Sequence, residues 1–148
     1  MTHSSQHVGI ALLRVSLGAM WIAHALLKLF VFTLPGTATF FASVGLPGFL
    51  AYPVFIVELA GGIALVLGVY ARQVSLALAP VMLMATWVHL PNGWVHTSPG
   101  GGWEYPLFLT VTSIVLWLCA DDAFVIRRSF RFAPYVSRVM ARRTHAAW

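Results

Sequence analysis

The chain has 148 residues, 59% of them hydrophobic and 9% charged, with a mean hydropathy of +0.83. Soluble domains carry roughly 25% charged residues, so a soluble globular fold is excluded and the chain falls in the membrane class. The net charge of +5 comes from the end of the chain, where Arg127, Arg128, Arg131, Arg138, Arg142 and Arg143 cluster; it marks a cytoplasmic face by the positive-inside rule rather than a nucleic-acid surface.

A membrane span needs about 20 apolar residues, so the length has room for four spans with short loops. No soluble catalytic domain fits beside them. The expected fold is an all-α membrane protein, a four-transmembrane-helix bundle. Residues 1–123 form the bundle and residues 124–148 a basic cytoplasmic tail. The single cysteine, Cys119, rules out an internal disulfide and a CxxC redox pair. It is expected to be buried near the end of the last span as a small packing residue.

In chain order, a polar leader of seven residues precedes span one, about 8–32. A cleaved signal peptide is rejected, because there is no basic n-region and Arg14, His24 and Lys28 interrupt the apolar run. The next stretch, to Phe49, holds Pro35, Gly36, Gly45, Pro47 and Gly48, which forbid a regular span. Its apolar interior is expected to lie in the interface or dip into the mouth of the bundle. Span two covers about 50–70 and ends at a tight Ala71-Arg72-Gln73 turn. Span three covers about 74–90, with Pro80 expected to kink it. A loop rich in glycine and proline follows, and span four covers about 103–121, with Pro106 tolerated in its first turn.

Orientation follows from the basic residues. The loops after spans one and three contain no Lys or Arg, whereas Arg14, Arg72 and the tail fall on the other side. Both termini are expected to be cytoplasmic, in a multi-pass inner-membrane protein. The tail mixes aromatic and aliphatic residues with its arginines, as an amphipathic segment lying on the cytoplasmic leaflet would. Those arginines can also bind anionic headgroups or a soluble partner.

The polar groups inside the spans fall mostly in one leaflet. At about 1.5 Å of rise per residue, His24 and Glu58 lie at similar depth, and Lys28 stacks one turn from His24 on the same face. His89 lies near the outer end of span three and Glu104 near the outer start of span four. His24, Lys28, Glu58, His89 and Glu104 are therefore the candidate ligand-binding residues. Arg14 and Arg72 form a thinner inner layer able to snorkel to water.

Each of these has a structural alternative. Lys28 and Glu58 can neutralise one another, and Glu104 suits a helix N-terminus. His24 can hold a structural hydrogen bond, and His89 can be an interfacial histidine without a ligand. Trp21, Trp87, Trp94 and Trp103 read as interfacial or packing aromatics. Gly61 and Gly62 either let helices approach closely or leave a slot beside Glu58 for a flat ligand.

Taken in order, Arg14, Gly18, His24, Lys28, Phe30, Gly45-Leu46-Pro47, Glu58, Gly61-Gly62, Gly68, Arg72 and Gly101-Gly102-Trp103-Glu104 resemble the DoxX family of small four-helix membrane proteins. The resemblance covers about the first 120 residues. Ala25 departs from it, standing where the family often has glycine. It implies a redox setting, such as a thiosulfate:quinone oxidoreductase subunit or a membrane anchor in an oxidative-stress complex.

The leading expectation is a membrane subunit serving a redox partner and holding a quinone. His24 and Lys28 would donate to its carbonyls and Glu58 would relay protons. The alternatives are a non-enzymatic anchor or assembly factor docking a soluble partner through the arginine tail, a haem or metal site on His24 and His89, and a proton-coupled transporter built on Glu58. Homo-oligomerisation would suit the last. The lipid bilayer is the common partner of all four.

Overall fold

The computed structural model describes residues 3–120 and 124–129. The described residues form five helices: α1 (His3–Phe30), α2 (Leu34–Ser43), α3 (Ala51–Leu67), α4 (Ala71–His89) and α5 (Glu104–Cys119). α1, α4, and α3 with the 3-10 turn before it are long and apolar enough to cross a membrane, while α5 is a shorter apolar helix. The arginines beyond residue 129 and the Asp121-Asp122 pair lie outside the described residues.

Buried positions recur at helical spacing. On α1 they are Arg14, Leu17, Gly18, Trp21 and Ala25, and on α3 Ala51, Glu58, Gly62 and Leu65. On α4 they are Ser75, Leu78, Met82 and Thr86, and on α5 Leu109, Ser113 and Leu116. These stripes meet in one core centred on Leu17, Trp21, Leu65, Leu78, Leu109 and Leu116. The opposite faces are apolar too, with Ile56, Leu83, Phe108 and Leu118 exposed. A helix bathed in water would carry charge there; a helix hydrophobic all round belongs in lipid. Among the described residues, buried hydroxyls add no unpaired groups: Ser113 Oγ donates to Leu109 O at 2.7 Å and Thr86 Oγ1 to Met82 O at 2.8 Å.

The tightest packing is between α1 and α3. A Cβ on Gly62 would stand 2.9 Å from Gly18 O, and one on Gly18 would stand 2.8 Å from Gly62 O. Gly61 meets Leu78 of α4, whose Cδ2 would lie 2.9 Å from an added Cβ. These glycines therefore serve helix contact, and the slot beside Glu58 is not theirs.

Boundaries differ from expectation in two places. Ala71-Arg72-Gln73 is the first turn of α4, and the reversal lies one step earlier, at Gly68 (φ +68) and Tyr70 (φ +48). The stretch after α1 contains a true helix, α2. Pro35 falls in its first turn, where no N–H is required, and Thr33 caps it by accepting from Gly36 N–H at 3.2 Å. Ten residues are too few to span a bilayer, so α2 covers the end of the bundle.

The opposite end is knitted by hydrogen bonds. Residues 124–129 run beside the α3–α4 turn, with Arg127 N–H donating to Gly68 O and Tyr70 N–H to Arg127 O, both at 3.2 Å. Arg14 does not snorkel: it is 5% exposed and donates from Nη2 to Phe124 O at 2.7 Å, its guanidinium occupying the space over Gly68. Arg72 Nε donates to Ala120 O at 2.7 Å. Trp21 is a core residue, whereas Trp87 is exposed and Trp94 meets Trp103 edge to face at 4.4 Å. Cys119 is exposed rather than buried, because it lies off the Leu109–Leu116 stripe that faces the core.

Gly62→Val should lower stability by about 1–3 kcal/mol, because the new side chain meets backbone rather than a yielding side chain. Thermal unfolding in detergent checks this, with Gly9→Val, at a position with open space around it, as the control.

Candidate functional site

A cavity of about 570 Å³ opens where α1, α3, α4 and α5 diverge beneath α2. Phe40 and Phe41 of α2, Leu50 and Val54 at the start of α3, and Met82 and Ala85 of α4 make its wall mostly apolar. Four of the five residues singled out from sequence, His24, Lys28, Glu58 and His89, line it.

Lys28 Nζ donates to both oxygens of Glu58, at 2.9 Å and 2.7 Å. The Glu58 side chain is 1% exposed and that of Lys28 16%. The carboxylate is thus buried against the ammonium. A lysine has three N–H donors and no acceptor; two are spent on Glu58 and one remains. α1 brings Lys28 to this point because residues 21, 25 and 28 share the face that packs on α3, and the Gly18–Gly62 approach brings the two helices close.

His24 lies one turn from Lys28, its Nε2 3.1 Å from the hydroxyl of Tyr105 on α5, with the rings tilted at a centroid distance of 5.4 Å. His89 Nδ1 is 2.9 Å from Ala85 O. A carbonyl oxygen only accepts, so Nδ1 carries a proton and the Nε2 of neutral His89 is left as an acceptor. The cavity therefore has an ammonium donor and a phenol–imidazole pair drawn from α1 and α5, and an imidazole acceptor from α4.

Tyr105 is the member that sequence reasoning missed. Its signal was present: it stands four residues before Leu109 on the buried stripe of α5, where a tyrosine hydroxyl needs a partner. Glu104, in contrast, is not brought to this cavity. Its Oε1 accepts from the backbone N–H of His96 at 2.8 Å and lies 2.9 Å from His96 Nδ1. Glu104 ties the loop at residues 93–103 to the start of α5, and lines a separate groove beside Trp94 and Phe108.

The wall carries one ammonium, one carboxylate, two imidazoles and one phenol. Such a set can hold an uncharged molecule by hydrogen bonds and exchange protons with it. Among the described residues, no group of three or more His, Cys, Asp or Glu side chains comes together as a metal site.

The family model described as DoxX matches residues 9–90. A Bacillus subtilis (strain 168) protein named "Putative oxidoreductase CatD" is 34% identical over 131 residues, covering 84% of this chain and 92% of that protein. No solved structure matches the chain.

Removing one partner of the Lys28–Glu58 pair should cost far more than removing both. Lys28→Met leaves a buried carboxylate uncompensated and should destabilise by about 3–5 kcal/mol. The double variant Lys28→Met/Glu58→Gln should recover most of that loss. Unfolding midpoints of the two variants and wild type complete the comparison, and equal losses in single and double variants would show that the pair is not coupled.

Proposed function

This chain belongs to the DoxX family, and from that premise we propose that it is an integral membrane subunit of a redox system that holds a quinone beneath α2. The observation that carries this reading is the cavity of about 570 Å³, within the range of small-molecule sites, whose apolar wall is broken by a few hydrogen-bonding groups. A flat ring suits the space between Phe40, Phe41 and Met82. The remaining N–H of Lys28 would donate to a quinone carbonyl, and His89 Nε2 would accept a hydrogen bond from the reduced form. Proton exchange falls to the His24–Tyr105 pair rather than to Glu58, because both Glu58 oxygens are held by Lys28. A bound quinone supplies two-electron chemistry coupled to protons; the chain supplies the donors, the acceptor and the apolar walls. Glu104 has no part in this site.

The relative's name supports a redox setting. The haem reading is disfavoured, because the Nε2 of His24 is already engaged by Tyr105. The anchor reading draws on one observation, the mutual neutralisation of Lys28 and Glu58, which a purely structural pair would also show.

We further propose that α5 is the fourth span and that both termini are cytoplasmic in the inner membrane, the bundle comprising residues 1–123 and the tail residues 124–148. At about 24 Å for 16 residues, α5 is short for a hydrocarbon core of about 30 Å. Yet it packs along α4 and exposes Phe108, Val111, Ile114 and Leu118. Arg72, Arg127 and Arg128 gather at the knitted end, while residues 31–50 and 90–103 carry no Lys or Arg.

Native mass spectrometry of gently solubilised protein should find a quinone on the wild type, with occupancy by the reduced form lowered about tenfold, the equivalent of one hydrogen bond, in His89→Ala. An empty protein that carries only a soluble partner would establish the anchor reading instead. For topology, a phosphatase fused after Trp148 should be inactive and one inserted in the loop at residues 93–103 active; the reverse pattern would overturn the orientation.

A further inference from the structure

The Lys28–Glu58 pair has a consequence for what the cavity accepts. Lys28 borders the cavity with one N–H to spare, while Glu58, 1% exposed, cancels its charge at 2.7 Å. A ligand meeting this group finds a strong donor without a net positive field. The other titratable groups facing the cavity are His24 on α1, His89 on α4 and Tyr105 on α5; the residues that α2 contributes carry none.

An anion of the right shape would sit beside an ammonium that already has a carboxylate partner. It would lose its hydration and gain a like-charged neighbour across a few ångströms of apolar surroundings. An uncharged carbonyl compound meets neither penalty and still receives a charge-assisted hydrogen bond. A lysine alone in this cavity would act in the opposite sense, as a trap for amphiphilic anions, fatty carboxylates among them.

We propose that Glu58 is a specificity-determining charge filter: by neutralising Lys28 it makes the cavity select uncharged lipophilic carbonyl compounds and reject lipophilic anions of the same size. Glu58 does this through Lys28 and is a positioning residue. The choice of a quinone-like carbonyl compound rests on the reading above; the discrimination by charge is separate from it.

Two probes of nearly one shape test the filter on the full-length protein in detergent: 2-methoxy-1,4-naphthoquinone, which stays neutral, and 2-hydroxy-1,4-naphthoquinone, which ionises to an anion. Binding of both is followed by tryptophan fluorescence quenching at pH 7, where the methoxy probe is neutral and the hydroxy probe is an anion. Wild type should bind the methoxy probe and should bind the hydroxy anion at least about tenfold more weakly. Glu58→Gln should strengthen binding of the anion about tenfold or more by leaving Lys28 uncompensated. Lys28→Met/Glu58→Gln, neutral again, should return it to the wild-type preference. If Glu58→Gln does not fold, wild type and the double variant carry the test. A hydroxy anion that binds wild type as tightly as the methoxy probe does overturns the filter and leaves the quinone reading standing. Folded wild type that binds neither probe overturns the quinone reading and the filter with it.

Discussion

The constraint on which the rest of the structure depends is the cost of placing Lys28 and Glu58 in hydrocarbon. A single central charge costs about 2.5–3.5 kcal/mol on insertion scales, and two unpaired ones would consume much of the stability of a small bundle. Pairing removes most of that cost only if α1 and α3 are held in one rotation and one register. The Gly18–Gly62 approach supplies that registration: with backbones this close, one residue of slippage would set Cβ atoms against carbonyl oxygens. The ion pair and the glycine contact are therefore one device. The glycines fix where the helices touch, and the touching point brings the ammonium to the carboxylate.

That device also explains why the cavity forms where it does. α1 and α3 are closest at Gly18–Gly62, and Lys28 and Glu58 lie beyond this crossing, toward the end covered by α2. Helices that cross at one point separate away from it, and the widening gap is filled at one end by Arg14, which reaches over Gly68 to Phe124 O. At the other end the side chains between α1, α3 and α4, the Lys28–Glu58 pair among them, leave the space open beneath α2. The knitted end is fastened by Arg14, Arg72 and the pairing of Gly68–Tyr70 with Arg127; the open end relies on α2 and on the Glu104–His96 tie. A bundle closed at one end and covered by a short helix at the other is suited to admitting a molecule at that second end only.

How much of this was legible in the sequence depended on which coordinate of a helix was being read. Depth was legible, because rise per residue is fixed: His24, Glu58 and Lys28 were placed at the right level, and His89 joined them. Rotation was not, since hydrophobic stripes disappear when the outer face meets lipid and both faces of each helix are apolar. Hence pairing of Lys28 with Glu58 stood as one alternative among others, and the glycines could not be divided between helix contact and ligand slot. Glu104 failed for a different reason. Depth put it near the cluster, but a first-turn residue is free to turn toward a preceding loop, and the backbone N–H of His96 there offers a carboxylate a strong partner. Tyr105, its neighbour, carries no charge to mark it within an apolar helix, and its role shows only in the contact with His24. α2 was half legible: the prolines and glycines of its stretch ruled out a span, but the short helix itself was not read, because a cap at Thr33 and a first-turn Pro35 look the same in sequence as turn residues.

The division of roles between Lys28 and Glu58 bears on how such sites arise in membranes. A bundle needs only a neutral pair to tolerate a lysine at depth, and any carboxylate within reach satisfies that need. The asymmetry of exposure, 16% against 1%, is a further property: of the two side chains that border the cavity, the lysine is the more open. Burial of the carboxylate is enforced by the close α1–α3 contact, and exposure of the ammonium by the divergence of the helices beyond it. A structural role and a binding role for the pair are therefore not rivals, since the geometry that makes the pair stable is the same geometry that leaves one N–H of Lys28 for a ligand.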